Sequence, residues 1–126
     1  MIVKIKQCKY EDLFPLRNMR KESVALKDDG VTKYIGAFIE SEIIGCVGYQ
    51  EIGNKIRYKT DYVHPKYRGM GIYSLLFKER EKLFEGRNEI TAFCTLKSLN
   101  CYLSHGFKKI NQKKGITFVK RRKNNE

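Results

Sequence analysis

Cysteine, histidine and tryptophan are scarce in this sequence, which has no tryptophan, two histidines and four cysteines, none of them in a Cys-x-x-Cys pair. Zinc sites usually draw clustered ligands from cysteine and histidine, so this inventory predicts no metal site. Each cysteine (positions 8, 46, 94 and 101) lies in an apolar stretch, which is typical of reduced, buried thiols. Disulfides would also be unusual in a reducing compartment.

Long apolar runs are missing as well. The longest, Ile43 to Tyr49, is far shorter than the roughly 20 residues that cross a bilayer. The first residues, MIVKIKQCKYED, lack the continuous apolar core of a signal peptide. We therefore expect a cytoplasmic protein that makes no membrane contact. The length of 126 residues predicts a single domain over 1–126.

Positive charge is what the sequence has in excess, with a formal net charge of +12. Residues 108–126 contain eight lysines and arginines and one acidic residue, and we expect 120–126 to form a basic, frayed tail. Such an excess attracts polyanions such as nucleic acids and phosphorylated ligands. A solvated tail is the alternative that we favour, because lysine outnumbers arginine and arginine is the usual reader of bases.

Periodicity and turn residues predict an α/β chain. The predicted strands cover 3–8, 32–40, 43–52, 55–63, 89–95 and 115–122, and the predicted helices cover 11–26, 71–85 and 98–106. Asp12 is expected to cap the first helix, with Pro15 in its first turn. The apolar residues of the second helix have helical spacing: Ile72, Leu75, Leu76 and Leu83. The same helix has three pairs of opposite charge three residues apart: Lys78–Glu81, Glu79–Lys82 and Lys82–Glu85.

The strand over 55–63 is unusual because one of its faces is charged. Strict alternation places Ile56, Tyr58, Thr60 and Tyr62 on one face and Arg57, Lys59, Asp61 and Val63 on the other. A strand in the middle of a sheet should be apolar wherever it is covered. We therefore expect the charged face to look into a cleft or into water.

A glycine-containing loop follows this strand and leads into the second helix. Gly69 and Gly71 permit close approach of a ligand to the backbone, the helix start offers free N–H groups, and Arg68 adds a cation that can bridge phosphate oxygens. The combination predicts a pyrophosphate site, and a simple tight turn is the alternative. Ser74 stands where a dinucleotide fingerprint needs its third glycine, and no Gly-Lys-Ser/Thr is present. Nicotinamide dinucleotides and ATP are therefore disfavoured.

Three segments together resemble the GNAT superfamily of N-acetyltransferases. VHPKYRGMGIYSLL (63–76) resembles its acetyl-CoA-binding motif, Val-x-Pro-x-x-Arg-Gly-x-Gly, and YLSHGF (102–107) is similar to its Tyr-x-x-x-Gly-Phe feature. IIGCVGY (43–49) is similar to the antiparallel strand that precedes the CoA strand. The resemblance covers 43–107, and the order of elements on either side agrees with it.

This resemblance implies a mixed, mostly antiparallel central sheet that is splayed between two parallel strands and flanked by helices. It also implies acetyl-CoA as co-substrate, without a metal. The residues expected to bind the cofactor are Tyr62, Val63, Arg68, Gly69, Met70, Gly71, Ile72, Tyr73 and Ser98. The chain departs from the family at Tyr73, where Gly or Ala is usual, and at Thr95, where Asn is frequent.

The resemblance also implies direct attack of an amine on the thioester, with a backbone N–H near Val63 stabilising the developing oxyanion. Tyr102 matches the family tyrosine that protonates the departing thiolate. Asp61 is our candidate for binding or deprotonating the amine, and a charge network with Arg57 and Lys59 is its alternative role. Weaker candidates have other expected places: Glu51 on the neighbouring strand, His64 and His105 at the surface, and Cys94 and Cys101 in the core.

Three functions remain open from the sequence. The first is acetylation of a small primary amine. The second is acetylation of an amine carried on RNA or on a protein, such as aminoacyl-tRNA or lysine, which the +12 charge suggests. The third is an acyl-CoA-binding module without turnover, suggested by Tyr73 and by the lack of an evident base. A homodimer is possible, since dimers are common among similar proteins.

Overall fold

The computed structural model describes residues 2–87 and 89–122, which form a seven-stranded mixed sheet in the order β1-β2-β3-β4-β5-β7-β6. The strands are β1 (Val3–Cys8), β2 (Lys33–Ile39), β3 (Glu42–Ile52), β4 (Lys55–Val63), β5 (Glu89–Thr95), β6 (Lys108–Lys113) and β7 (Ile116–Arg122). Neighbouring strands are antiparallel except for β4 and β5, which are parallel. The predicted fold class is confirmed.

Helices cover both faces of the first half of the sheet and one face of its second half. α1 (Ile72–Leu83) and α2 (Leu96–Ser104) lie on one face, and a long 3-10 helix (Tyr10–Glu22) lies on the other. A short 3-10 turn, Pro65–Tyr67, connects β4 to α1. Because β3 is covered on both sides, its run from Ile43 to Gln50 is buried throughout, which explains why this strand is apolar instead of alternating.

The first helix differs from its prediction. It covers Tyr10–Glu22 instead of 11–26, and Lys9 occupies the N-cap position. Asp12 is the third helical residue, and its carboxylate accepts a hydrogen bond from the Lys9 N–H at 2.9 Å. Pro15 lies inside the helix, where it lacks an N–H and its ring disfavours α geometry, in keeping with the 3-10 form.

α1 begins at Ile72 after Gly71, as the sequence predicts, but its buried side is rotated from the predicted one. Leu75 and Leu83 are each 47% exposed, whereas Phe77 and Arg80 are fully buried. Of the predicted ion pairs, Glu79–Lys82 is present at 3.4 Å. Glu81 pairs instead with Arg121 of β7, at 2.6 Å.

Strand β6 has no counterpart among the predicted strands. Its six residues, KKINQK, are all exposed, so the sequence carries no hydrophobic alternation there. The strand is formed by pairing with β7 at the edge of the sheet. Lys120 to Arg122 are part of β7, in agreement with the strand predicted over 115–122 and not with the frayed tail expected over 120–126. The remainder of that expected tail, 123–126, lies outside the described residues.

The parallel strands β4 and β5 separate after a short ladder. They pair only over Lys55–Tyr58 and Glu89–Ala92, so the ends of both strands flank an open gap. On its other side, β4 continues to pair with β3 up to Val63. This gap in the sheet is where the candidate site lies.

A β-bulge at Thr60 corrects the predicted faces of β4. Gly48 pairs with Lys59 and Cys46 with Tyr62, so β4 has one residue more than β3 in this stretch, and Thr60 adopts φ +61°. The extra residue reverses the alternation beyond it. Asp61 therefore lies on the α1 face, away from Arg57 and Lys59, and the alternative charge network among these three residues is not formed.

Gly48 opposite the bulge provides a test of this geometry. A Cβ built on Gly48 would lie 2.9 Å from the carbonyl oxygen of Lys59, so the backbone of one strand has to move. We expect Gly48→Ala to lower the free energy of unfolding by about 1–3 kcal/mol in urea denaturation.

Gly53→Asn is the matched control. Unlike Gly48, Gly53 has a positive φ (+61°), and a Cβ there would meet nothing within 4 Å; asparagine tolerates this conformation. Its stability should stay near that of the parent. An equal loss in both variants would contradict the crowding argument.

Candidate active site

Two adjoining cavities occupy the gap between β4 and β5. The first has a volume of about 460 Å³ and lies among the end of β4, the glycine loop and the starts of α1 and α2. The second, about 290 Å³, lies farther along the gap, between the middle of β4 and β5. Both are lined by Val24, Asp61, Thr95 and Ser98. The shared lining makes them neighbouring compartments of one site.

The glycine loop opens the first cavity. Gly69 and Gly71 both adopt φ +80°, a conformation that favours glycine, and nothing lies within 4 Å of a Cβ built on either. Gly71 is the N-cap of α1, so the N–H groups of the first helical turn have no partner within the helix. Together with the helix dipole they form a site suited to an anion.

The backbone of Val63 also faces the gap. The N–H of the next residue, His64, bonds across to Ile44 of β3 at 2.8 Å, and N–H directions alternate along a strand. The Val63 N–H and carbonyl thus point away from β3, and the carbonyl accepts a hydrogen bond from Arg68 Nε at 2.8 Å. This leaves a backbone donor at the edge of the first cavity.

Glu22 places a carboxylate between two cations at this cavity. Its Oε1 lies 2.9 Å from Arg68 Nη2 and 2.7 Å from Lys97 Nζ. The hydrogen bond from Lys97, together with that from Arg68, lowers the pKa of Glu22 against the opposing effect of burial. Glu22 is therefore charged at neutral pH. Its carboxylate pairs with Arg68, the arginine that the sequence predicts to bind phosphate.

Asp61 is the centre of a buried polar cluster between the cavities. Its Oδ1 accepts from Arg80 Nη1 at 2.7 Å, and its Oδ2 accepts from Arg80 Nη2 at 2.9 Å and from the Tyr102 hydroxyl at 2.6 Å. The Tyr73 hydroxyl also donates to Oδ2. With four donors on two oxygens, the carboxylate is well suited to holding its neighbours in place.

Arg80 supplies the opposite charge of the cluster and is completely buried. Besides Asp61, it donates to the Gly48 carbonyl at 2.9 Å, and its guanidinium lies 3.8 Å from the centre of the Tyr58 ring. Its Nη2 is 3.3 Å from the Tyr102 hydroxyl. The phenol is therefore bonded on one side to an anion and on the other to a cation.

Tyr102 is 1% exposed and lines the second cavity. Burial, and then the charge of Asp61, raises the pKa of Tyr102 well above its ordinary value of about 10. The phenol therefore keeps its proton through the neutral range. A protonated phenol beside a guanidinium can give up a proton while the guanidinium stabilises the phenolate that remains.

The structure gathers most of the predicted cofactor residues around the first cavity. Its lining includes Tyr62, Val63, Arg68, Gly69, Gly71, Ile72, Tyr73 and Ser98. Met70 is 55% exposed and does not line it. Tyr73, which replaces a smaller family residue, turns its hydroxyl to Asp61 and its ring edge to Phe77, with centroids 5.9 Å apart.

Several weaker candidates lie away from the chemistry. Glu51 is exposed on β3 and pairs with Arg87 at 3.3 Å, and neither histidine lines the two cavities. Cys94 lines the second cavity, but burial raises its pKa to about 11, so its thiol stays protonated. Burial likewise raises the pKa of Cys101 to about 11. The expectation of inert core thiols agrees with these environments.

Sequence reasoning missed Arg80 and Glu22. A signal for Arg80 was available, because Ile72, Leu76 and Arg80 recur every four residues and so share one helical face. The charged sequence around it, KEREK, suggests a solvated helix instead. Glu22 carries no local signal, since its partners Arg68 and Lys97 are distant in the chain.

No group of three or more potential metal-binding side chains occurs within residues 2–87 and 89–122. None of the helices in this described part has the length and apolar character needed to cross a membrane.

Comparison with known proteins places this chain in a family. The model of the acetyltransferase (GNAT) family matches residues 1–107, which is most of the chain. The chain therefore belongs to the GNAT family. No curated protein sequence matches it at a significant level.

Solved structures share the fold at low sequence identity. A PaiA N-acetyltransferase from Thermoplasma acidophilum, in complex with coenzyme A, superposes with a TM-score of 0.76 at 18% identity, covering 98% of this chain and 100% of that one. A GNAT-family acetyltransferase from Staphylococcus aureus Mu50 gives 0.74 at 15% identity, with 96% and 99% covered. An IAA acetyltransferase from Bacillus cereus gives 0.75 at 12% identity, with 96% and 99% covered.

The Asp61–Arg80 pair should be important for stability. Asp61→Asn leaves a fully buried guanidinium without its counter-charge, which typically costs about 3–5 kcal/mol. We expect a loss of this size in urea unfolding at pH 7. The double variant Asp61→Asn/Arg80→Met should recover a large part of it, because no unpaired charge remains in the core.

Glu51→Gln provides the comparison, since it removes one carboxylate from an exposed pair with Arg87. Its unfolding free energy should change by less than about 1 kcal/mol. The single variant Arg80→Met is measured as well. If the double variant lost as much free energy of unfolding as Asp61→Asn and Arg80→Met lose together, the pair would not be coupled in the way its geometry indicates.

Proposed function

We propose that the protein transfers the acetyl group of acetyl-CoA to a primary amine by direct attack within a ternary complex. The observation that carries this proposal is the junction of a helix-capped glycine loop with a gap between two parallel strands, in a chain that belongs to the GNAT family. Its four cysteines are free thiols, in keeping with a cytoplasmic location.

Coenzyme A fits the chemistry of the first cavity. The N–H groups of the loop and first helical turn suit its diphosphate, with Arg68 and Lys97 as further cationic partners. The free edge of β4 at Tyr62 and Val63 suits the amide-containing arm of the cofactor, which can pair with it as an added strand. The Val63 N–H is then available to stabilise negative charge on the thioester oxygen, an effect typically worth a few kcal/mol.

Tyr102 is proposed as the acid that protonates the departing thiolate. Its hydroxyl lies between Asp61 and Arg80 beside the residues shared by the two cavities. We propose that Asp61 acts chiefly by orienting this phenol and Tyr73. This differs from the predicted role of Asp61 as a base, because its oxygens already accept four hydrogen bonds.

The second cavity is the proposed place for the amine. It adjoins the first at Asp61 and Thr95, so an amine there can approach a thioester held at the boundary. A module without turnover was suggested by Tyr73 and by the lack of an evident base. Tyr73 packs into the Asp61 cluster and does not close the loop, and an amine that arrives unprotonated can attack without a dedicated base. We therefore favour a catalytic protein.

Acetyl transfer to a panel of amines, followed by mass spectrometry of the products, tests this function. In Tyr102→Phe we expect kcat to fall by at least about 10-fold, because an acid group typically contributes 10²–10⁴, while the Kd for acetyl-CoA stays within about twofold of the parent. Because the pKa of Tyr102 is raised, the parent rate should show no loss from phenol deprotonation below about pH 10.

Tyr49→Phe is the control for removal of a buried hydroxyl. Tyr49 is 5% exposed, accepts a hydrogen bond from Gln7 and lines neither cavity, so its kcat should stay close to that of the parent. No binding of acetyl-CoA at millimolar concentration by the folded protein would overturn the proposed function. Full turnover of Tyr102→Phe would overturn only the acid role.

The position of Glu22 leads to a second prediction about the same site. Its carboxylate holds Arg68 and Lys97, which the diphosphate of coenzyme A would otherwise engage. Glu22→Gln removes this competing charge, so we expect coenzyme A to bind about two- to fivefold more tightly, as measured by calorimetry, from the usual strength of partly exposed pairs.

Glu79→Gln serves as its control because Glu79 pairs with Lys82 on the outer side of α1. It removes the same charge from the protein as a whole and should leave the Kd almost unchanged. Weaker binding by Glu22→Gln would mean that Glu22 positions Arg68 for the cofactor and does not compete with it.

A further inference from the structure

None of the helices in the described residues lies on one face of the second half of the sheet. α1 and α2 pack on the opposite face, where Ile90, Ala92 and Val119 enter the core. Strand pairing places the following residues together on the uncovered side, which we call the open face: Lys55, Arg57, Lys59, Glu89, Thr91, Phe93, Thr95, Lys108, Asn111, Lys113, Ile116, Phe118, Lys120 and Arg122.

The charged residues of the open face are basic, with Glu89 as the exception. Glu89 is already paired, with Lys55 at 3.8 Å and Arg122 at 3.2 Å. Lys59 has Asp29 as a partner at 3.7 Å. Within the described residues no ion pair involves the remaining cations, which are Arg57, Lys108, Lys113 and Lys120. The open face is therefore a concentrated and largely uncompensated positive surface.

An aromatic pair lies among these cations. Phe93 of β5 is 56% exposed, and Phe118 is its neighbour on β7. The two rings have centroids 4.8 Å apart with an angle of 36° between their planes. The guanidinium of Arg57 lies 5.8 Å from the centre of the Phe93 ring. Flat apolar rings and a planar cation are thus presented side by side to solvent.

This chemistry favours one kind of partner. A second copy of the chain would bring the same positive surface against itself, which like-charge repulsion opposes. An acidic peptide would satisfy the cations but leaves the ring pair without a specific role. An unpaired nucleic-acid strand satisfies both, because its phosphates suit the cations and its bases stack on aromatic side chains. A duplex would keep its bases stacked inside.

The open face also borders the place proposed for the amine. Arg57, Lys59, Phe93 and Ile116 belong to the open face and line the second cavity as well. A strand bound to the open face would therefore pass the mouth of that cavity.

We propose that the open face binds an unpaired segment of nucleic acid and that this strand carries the acceptor amine into the second cavity. The first part rests on the open face alone. The second part rests on the proposed acetyl transfer and specifies its substrate class. The reaction is unchanged: the amine nitrogen bonds to the acetyl carbon and loses one proton to water, the carbon–sulfur bond breaks, and the thiolate takes up a proton.

Fluorescence anisotropy with labelled 12-nucleotide RNA, DNA of matching sequence, an RNA duplex and a 12-residue polyglutamate tests the first part. We expect both single strands to bind more tightly than the duplex and the peptide. Phe93→Ala should weaken single-strand binding by roughly 5- to 150-fold, from the usual contribution of one stacked base. Lys108→Ala and Lys120→Ala should each lower the slope of log K against log salt by about 0.7.

Phe14→Ala is the matched control. Phe14 is 64% exposed and its ring lies 4.0 Å from the Arg17 guanidinium, so it repeats the phenylalanine–arginine chemistry away from the open face. Its variant should bind the strands as the parent does. Three outcomes would each overturn docking of a nucleic acid. Phe93→Ala could bind the single strands as tightly as the parent, or the parent could bind polyglutamate as tightly as the single strands. The third outcome is a dimer of the parent that Phe93→Ala dissociates.

Inhibition of small-amine acetylation by the single-stranded RNA tests the second part. The RNA should inhibit the parent, and Lys108→Ala/Lys120→Ala should be inhibited less, each relative to its own uninhibited rate. Binding without inhibition would separate the open face from the acceptor and overturn this part. If the protein acetylates small amines but does not bind RNA, the proposed function stands and both parts of the nucleic-acid proposal are overturned. Failure to bind acetyl-CoA is measured separately; it would overturn the proposed function and with it the second part, and would leave the first part standing.

Discussion

The buried ion pair between Arg80 and Asp61 links the elements that form the candidate site. Arg80 comes from α1 and Asp61 from the bulged end of β4, so the pair attaches the helix behind the glycine loop to the strand that flanks the gap. Both charges are removed from water, which is costly unless each is fully bonded. The hydroxyls of Tyr73 and Tyr102 and the carbonyl of Gly48 provide further bonds, and the buried Nε of Arg80 has no partner within the described residues. The stability of the fold and the geometry of the candidate site therefore depend on the same contacts.

The cations of this protein divide into satisfied and unsatisfied groups. Arg80, Arg68 and Arg121 each have a carboxylate partner within 3 Å, and they lie in the site or beside the core. Among the described cations without an ion pair, Arg57, Lys108, Lys113 and Lys120 lie together on the open face, and others such as Lys4, Lys33 and Lys78 lie elsewhere on the surface. A net charge of +12 describes both groups alike. Only their positions distinguish a cation that organises a reaction site from one that is free to meet a partner.

Much of the fold was accessible from local patterns. The bounds of β1, β4 and β5 agree with prediction because turn residues or a change of periodicity delimit them, and α1 begins where Gly71 ends the loop. β6 was missed because an exposed edge strand has no alternation, and its formation depends on β7. The 3-10 helix ends earlier than predicted, at Glu22, because Ser23 after it adopts the left-handed conformation. No pattern in the sequence indicates this end.

The sequence by itself determined the family, the glycine loop with its helix start and about half of the residues that line the first cavity, because those features follow from short motifs and local backbone preferences. Tertiary structure decided the rest. The bulge at Thr60 moved Asp61 to the opposite face, Glu22 came to lie between Arg68 and Lys97, and basic strands from the end of the chain joined Arg57 on one surface. These outcomes arise from pairings between distant segments, whose energies depend on register and burial and not on any single stretch of sequence.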